Sequence, residues 1–360
     1  MTRVRCATVD DIPAILDVSV RNGLTAFDPD LRRRWWLAHP FRRELEEVPI
    51  GWVLENESGR IVGTMTNVPM LYELEGRPLK CATASSWAVD PEYRRSSLLL
   101  TMSYFAQGHV DLLLNGSANE TAARVMSAFG AQPIPAPDYN CSYFWVLRRR
   151  AFAAAALERR RVPGARWLSV PAALALALAA LPGRLPRKAA AEIRHFDSFG
   201  EEFDRFWEKL RRQPGRLVAV RTAKALRWRF SQAWWPDRPI ILGAVREGEL
   251  LGYLVLVAQA QEHSRGLRSY LIADLQALGD SPAVVRTLLR GAVRAARRLG
   301  AGSVQWIGWA PTKRQAALSL FPKKYRSRGH WPLYYRVASA DLKSVLSQPD
   351  CWDFSPFDAF

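Results

Sequence analysis

Two hydrophobic periods alternate along this chain. Val4–Ala7 reads as a short strand, and Thr8-Val-Asp-Asp-Ile-Pro then caps a helix with Ile12, Ile15, Leu16 and Val18 on one face. Gly51–Glu55 and Ile61–Pro69 alternate on either side of Asn56-Glu-Ser-Gly-Arg, the pattern of a hairpin. Leu79–Val89 predicts a long strand, Arg94–Gly108 a helix, and Val110–Leu114 a buried strand. A helix over Asn119–Phe129 ends at Gly130, and Tyr139–Leu147 supplies a closing strand.

The same order returns after residue 195. Phe199–Arg211 predicts a helix, Ile240–Val245 and Leu250–Ala258 a hairpin around Glu247-Gly248, and Ser269–Ala277 a strand. Pro282–Leu299 follows as a helix, Ser303–Trp309 as a strand, then a short helix and a final strand over Pro332–Ala338. The element order therefore repeats with a period of roughly 150 residues. Between the halves, Ala, Leu, Arg and four prolines (163, 171, 182, 186) mark a helical linker. The chain divides into an N-terminal domain 1–147, a linker 148–195, a C-terminal domain 196–345 and an acidic, aromatic tail 346–360. The tail is expected to dock back onto the body or onto a partner.

Charge changes the picture only locally. The chain carries 51 Lys+Arg against 34 Asp+Glu, a net +17, which points to a polyanionic neighbour. Ten of the basic residues lie between Arg148 and Lys188, opposed by Glu158 alone, so about half of the surplus belongs to the linker. Arg clusters flanking Leu168–Leu181 are compatible with lying on an anionic membrane, and equally with a helix packed between domains. Cys6, Cys81, Cys141 and Cys351 are far apart and the five histidines scattered, so no metal site is expected and a reducing cytosol is. The apolar run Trp167–Leu181 is too short to span a bilayer, and the first residues have no signal-peptide core. A cytoplasmic protein, peripheral at the inner membrane face at most, is the expectation.

The chemistry is most legible in Val89-Asp-Pro-Glu-Tyr-Arg-Arg-Ser-Ser-Leu, where a strand turns into a helix start whose free amides favour phosphate. This segment resembles the acyl-CoA-binding motif of the GNAT acyltransferase superfamily, with Val89, Pro91, Tyr93 and Arg94 in register. The motif's small positions fall on Arg95, Ser97 and Leu99. Asn119, Ala122 and Gly130 match a second GNAT pattern on the following helix, whose tyrosine position is Met126, which cannot donate a proton. Arg221-Thr-Ala-Lys-Ala-Leu-Arg-Trp-Arg-Phe is similar to a stretch of tandem GNAT proteins that include relatives of the FemAB aminoacyltransferases.

The resemblance implies an α/β protein of two GNAT-like domains, each a mixed, mostly antiparallel twisted sheet flanked by helices. It implies acetyl-CoA or another acyl-CoA as co-substrate, no metal, and binding through Val89, Arg94, Arg95, Ser96, Ser97, Leu98 and Asn119. The expected reaction is direct attack of an amine (amino sugar, amino acid or specialised metabolite) on the thioester. Alternatives are a FemAB-like transferase that uses aminoacyl-tRNA and a catalytically degenerate pair acting as a binding module.

Acyl transfer needs a base and a proton donor. Asp274, in the apolar run Ile-Ala-Asp-Leu, is the base candidate, and an inward carboxylate paired with an arginine fits the same pattern. Tyr334, Tyr335 and Tyr104 are candidate proton donors or core residues, and Ser85 and Ser86 candidate channel residues or cross-strand hydrogen-bonding ones. Trp228 and Trp306, with Trp207, Trp234, Trp235, Trp309 and Trp331, are candidates for an aromatic substrate cleft or for core filling. His39 reads as structural.

Overall fold

The computed structural model describes every residue except 1, 26–27, 117–118, 137, 139, 179–188, 232–234, 236, 260–267, 309, 328–332 and 359–360. Trp234, Trp309, Trp331, Tyr139, Pro332, Arg184, Arg187 and Lys188 therefore lie outside the described residues.

The first half builds a sheet from β1 (Arg3–Cys6), β2 (Gly51–Glu55), β3 (Ile61–Leu74), β4 (Arg77–Val89) and β5 (Leu112–Asn115). The first four pair antiparallel, β1 with β2 across α1 (Ile12–Arg21) and α2 (Pro29–Leu37) and β2, β3 and β4 through short turns, whereas β4 and β5 run parallel across α3 (Ser97–Phe105). A parallel pair requires such a crossover. α4 (Glu120–Ala128) and β6 (Gln132–Pro133) complete this half.

The second half repeats the plan. Its elements are β8 (Glu192–Phe196), α7 (Glu201–Leu210), β9 (Leu217–Ala219), α8 (Ala223–Arg229), β10 (Ile240–Arg246), β11 (Glu249–Ala258), β12 (Ser269–Ala277), α9 (Pro282–Arg298), β13 (Ser303–Trp306), α10 (Pro311–Leu318) and β14 (Lys323–Arg326). Residues 192–195, read from the sequence as linker, belong to an edge strand that pairs with β10.

The closing strands are exchanged. β7 (Cys141–Val146), expected to finish the first sheet, lies between β13 and β14 of the second, with Trp145 opposite Val304. β15 (Tyr334–Val337) lies between β5 and β6 of the first, with Tyr335 opposite Leu114. The two sheet orders, β1-β2-β3-β4-β5-β15-β6 and β8-β10-β11-β12-β13-β7-β14, are then the same pattern with one strand traded. β9 also crosses over, pairing with β3 at Tyr72↔Ala219.

One core lies between the halves. Val68, Met70 and Tyr72 of β3 share it with Phe203, Phe206 and Trp207 of α7 and with Tyr253, Val255 and Val257 of β11. On their other faces, α3 and α4 cover the first sheet and α9 and α10 the second. The C-terminal segment returns into the shared core: after α11 (Ala340–Leu346), Trp352, Phe354 and Phe357 are buried there. The linker forms two helices, α5 (Arg149–Arg159) and α6 (Ala165–Leu178). Among the described residues no helix is long and apolar enough to cross a membrane.

Candidate active site

β4 and β5 stay paired only from Cys81↔Leu112 to Ala84↔Asn115; beyond this β4 continues through Ser85 to Val89 without β5. At the point of parting β4 bulges, because Thr66 faces Ser85 while Thr64 faces Ala88, and Ser86 takes a positive φ of 45°. Extra residues of this kind re-aim the backbone and are frequent beside active sites. A 3-10 turn over Pro91–Ser96 then leads into α3. The turn is anchored by Asp90, which accepts from Arg21 at 2.8 and 2.7 Å and from Asn22 at 2.9 Å. Those bonds, from Arg21 foremost, hold the Asp90 carboxyl below its ordinary pKa.

Arg94, Arg95 and Leu98 are exposed along this turn and helix start, Ser96 and Ser97 are half-buried, and Val89 is core. Ser96 Oγ lies 2.9 Å from Thr2 Oγ1. Arg95 and Leu99 face solvent instead of packing into the turn, so the large residues at the motif's small positions do not fill it. Asn119 caps α4, accepting from the Ala122 amide at 2.9 Å. Two cationic side chains beside a helix start suit a polyanion.

Behind the bulge lies a side chain that the sequence did not single out. Arg32 of α2 is 2% exposed, lies over the rings of Trp35 and Trp36, and donates to Thr66 Oγ1 and Ser86 Oγ at 3.3 Å each. Burial lowers its pKa to about 10, so it remains cationic at neutral pH. Trp36 forms part of the wall of a cleft of about 1000 Å3 with His39, Arg42, Arg43, Ile50 and Lys224. His39, by contrast, is neutral at neutral pH, its pKa lowered to about 4 by burial. Trp228 buttresses this region: its ring is 4.7 Å from that of His39 and its indole donates to Trp35 O at 3.3 Å.

The other aromatic candidates separate. Tyr104 is 1% exposed and its hydroxyl is directed at Ala82 O (3.1 Å) and Leu114 O (2.7 Å), bridging β4 and β5 at the apex of the split. Desolvation raises its pKa well above 10, and its proton is held by the backbone. Met126 is fully buried in the core under α4. Tyr334, on the exchanged strand, faces Asn115, the last paired residue of β5, and joins the same core. Trp306 is buried in the second sheet against Tyr143 at 5.8 Å, so Trp228 and Trp306 do not share a cleft.

The corresponding split in the second half is filled. β12 bulges at Ala273 as it parts from β13, since Val255 faces Asp274 and Leu256 faces Ile272. Asp274 has no exposed surface. It accepts from Arg221 Nε (2.9 Å), Tyr253 Oη (2.7 Å) and Ser355 Oγ (3.0 Å). This is the paired, inward carboxylate, covered on every side, and it has no route to an incoming amine. Lys313 of α10 reaches in to donate to Leu275 O (2.8 Å), Gln276 Oε1 (3.0 Å) and Asp353 Oδ2 (2.7 Å). Arg216 closes on Asp353, and Arg221 on Asp358 at 3.1 Å. The acids of the tail thus neutralise the cations of the split. Among the described residues no cluster of His, Cys, Asp or Glu is arranged to hold a metal.

No family model matches the chain, and no curated protein matches it in sequence. Its fold does match solved structures. A probable N-acyltransferase of Enterococcus faecalis superposes with a TM-score of 0.60 at 11% identity, covering 97% of this chain and 74% of that one. A GCN5-related N-acetyltransferase of Kribbella flavida gives 0.54 at 15%, covering 94% and 71%. The N-myristoyltransferase of Saccharomyces cerevisiae, solved with bound myristoyl-CoA and inhibitors, gives 0.54 at 12%, covering 93% and 80%. With two mixed sheets flanked by helices, this chain has the fold of the GNAT-like acyltransferases, built twice.

Proposed function

We propose that the N-terminal half transfers an acyl group from an acyl-CoA thioester to an amine, and that the C-terminal half is a non-catalytic wall. The contrast between the two splits carries this reading: both are bulged, but the first leads into a turn bearing exposed Arg94 and Arg95, while Lys313, Asp353 and Asp274 occupy the second.

In this reading Arg94, Arg95 and the amides near Ser96, Ser97 and Leu98 take the phosphates, and the backbone beyond Ser85 borders the acyl arm. The amine enters through the Trp36–His39 cleft. Its neutral nitrogen attacks the thioester carbonyl, the C–S bond breaks, the thiolate takes a proton from Tyr334, and the proton that the nitrogen loses to water returns to the Tyr334 phenolate. Arg42, Arg43 and Lys224 outnumber Glu44 and Glu46 in the lining of the cleft, which suits an acceptor bearing an anionic group, as an amino acid does.

Calorimetry with acetyl-CoA and longer acyl-CoAs, followed by thiol-release assays over amino acids and amino sugars, tests the proposal. Micromolar binding with acceptor-dependent thiol release is expected. Failure to bind any CoA thioester overturns it. A second reading, a binding module without turnover, is favoured by Met126 in the core where a donor is expected. CoA binding with no thiol release from any acceptor selects that one.

A further inference from the structure

Helix α6 carries an apolar stripe that the rest of the described chain does not cover. Trp167 is 84% exposed, Val170 52%, Leu174 62% and Leu178 58%. At steps of three, four and four residues they fall on one side of the helix. The opposite side is occupied: Ala165 and Ser169 are buried, and α5 packs there with Ala153 buried in turn. α5 is tied to the second sheet by Phe152, whose ring is 5.6 Å from that of Phe144. The stripe is therefore the outer face of a helical hairpin anchored to the body.

The flank of the hairpin beside the stripe is cationic, with Arg166 one turn from Val170 at the stripe's edge. Arg148, Arg149, Arg150 and Arg166 line one basin of about 570 Å3 on the hairpin, and Arg160 and Arg161 stand exposed at its turn. Glu158 is the one acid in this segment. A second copy of the chain would set these arginines against their own kind, which argues against self-association. An anionic surface meets both features together. At 14 residues α6 is about 21 Å long, short of the roughly 30 Å hydrocarbon thickness. Over its described residues it fits along an interface, not across one.

We infer that the α5–α6 hairpin docks this protein on an anionic lipid bilayer, with Trp167, Val170, Leu174 and Leu178 at the headgroup–acyl boundary and the arginines on lipid phosphates. The inference does not depend on the acyl-transfer reading.

The test is co-sedimentation of the full chain with phosphatidylcholine vesicles, with and without about 30% phosphatidylglycerol. The chain is expected to bind the anionic vesicles, to leave them as salt rises, and to ignore the neutral ones. The double variant Trp167→Ser/Leu174→Ser should partition about tenfold less while keeping the wild-type melting temperature, because both side chains are exposed. Leu299→Ser, exposed at the end of α9, should bind as wild type. Equal binding to neutral vesicles, or binding unaltered by the double variant, overturns the inference. So does an absence of vesicle binding, with or without a dimer that the double variant dissociates.

Discussion

Asp274 and Arg221 show what burial does to charged side chains. Each is excluded from solvent, so neither charge is tolerable without the other and without the bonds from Tyr253, Ser355 and Asp358 around them. Asp274→Asn should lower the urea midpoint by an amount equivalent to about 3–5 kcal/mol, through the stranded Arg221. An unchanged midpoint with lost turnover would instead restore the carboxylate as a base. Tyr334→Phe is expected to cut kcat about 10²-fold and leave the KM for acyl-CoA unaltered, as measured by thiol release. His39 gives a pH dependence. Its folded pKa, about 4, lies below the ordinary 6.5, so between those values the unfolded chain binds a proton that the folded one refuses. Stability should therefore fall as pH drops from 6.5 towards 4, by up to about 3 kcal/mol, and His39→Gln should flatten that part of the melting-temperature profile.

At the scale of elements, what was legible followed periodicity. The β10–β11 hairpin, β12 and α9 were all anticipated from apolar spacing, which burial of alternate or fourth residues explains. α2 was not, since Pro-Asp-Leu-Arg-Arg-Arg-Trp-Trp-Leu has no apolar stripe and one of its buried residues is Arg32. β14 escaped for a related reason: Lys323–Arg326 is largely exposed at a sheet edge. Helix Arg94–Gly108 began too early, because the residues before Ser97 form a 3-10 turn that places Arg94 and Arg95 outward. The β2–β3 pairing depends on one glycine. Gly51 has φ +143°, and a Cβ there would meet Met65 O and Thr66 Cα at 2.6 Å, both backbone. Gly51→Ala should cost about 2–3 kcal/mol in chemical denaturation, with loss of amide protection along β2.

At the scale of the molecule, the two halves hold one another. β7, β15 and β9 each pair with the opposite half's sheet, and the tail joins Tyr72 of the first half to Arg221 of the second through Asp358. Removing residues 351–360 would expose the surfaces that Trp352, Phe354 and Phe357 cover, take Asp353 from Arg216 and Lys313, and leave Arg221 with Asp274 but without Asp358. The truncated chain is expected to be insoluble or to melt at least 10 °C lower. A truncation that melts as wild type would show the tail to be dispensable.

The sequence by itself determined the repeated order of elements, the segregation of charge into the linker, and the strand–turn–helix segment around Arg94. Each of these is local, set by residues within a few turns or strands of one another. Tertiary structure alone decided which sheet receives each closing strand, since a short apolar strand pairs equally well with either edge until the rest of the chain is in place. It also decided that Asp274 is neutralised by Arg221, 53 residues away in sequence, and that α2 brings Arg32 to Ser86, 54 residues distant. Partners that far apart carry no mutual signal in a linear pattern, and their charges acquire meaning only once folding has removed the water between them.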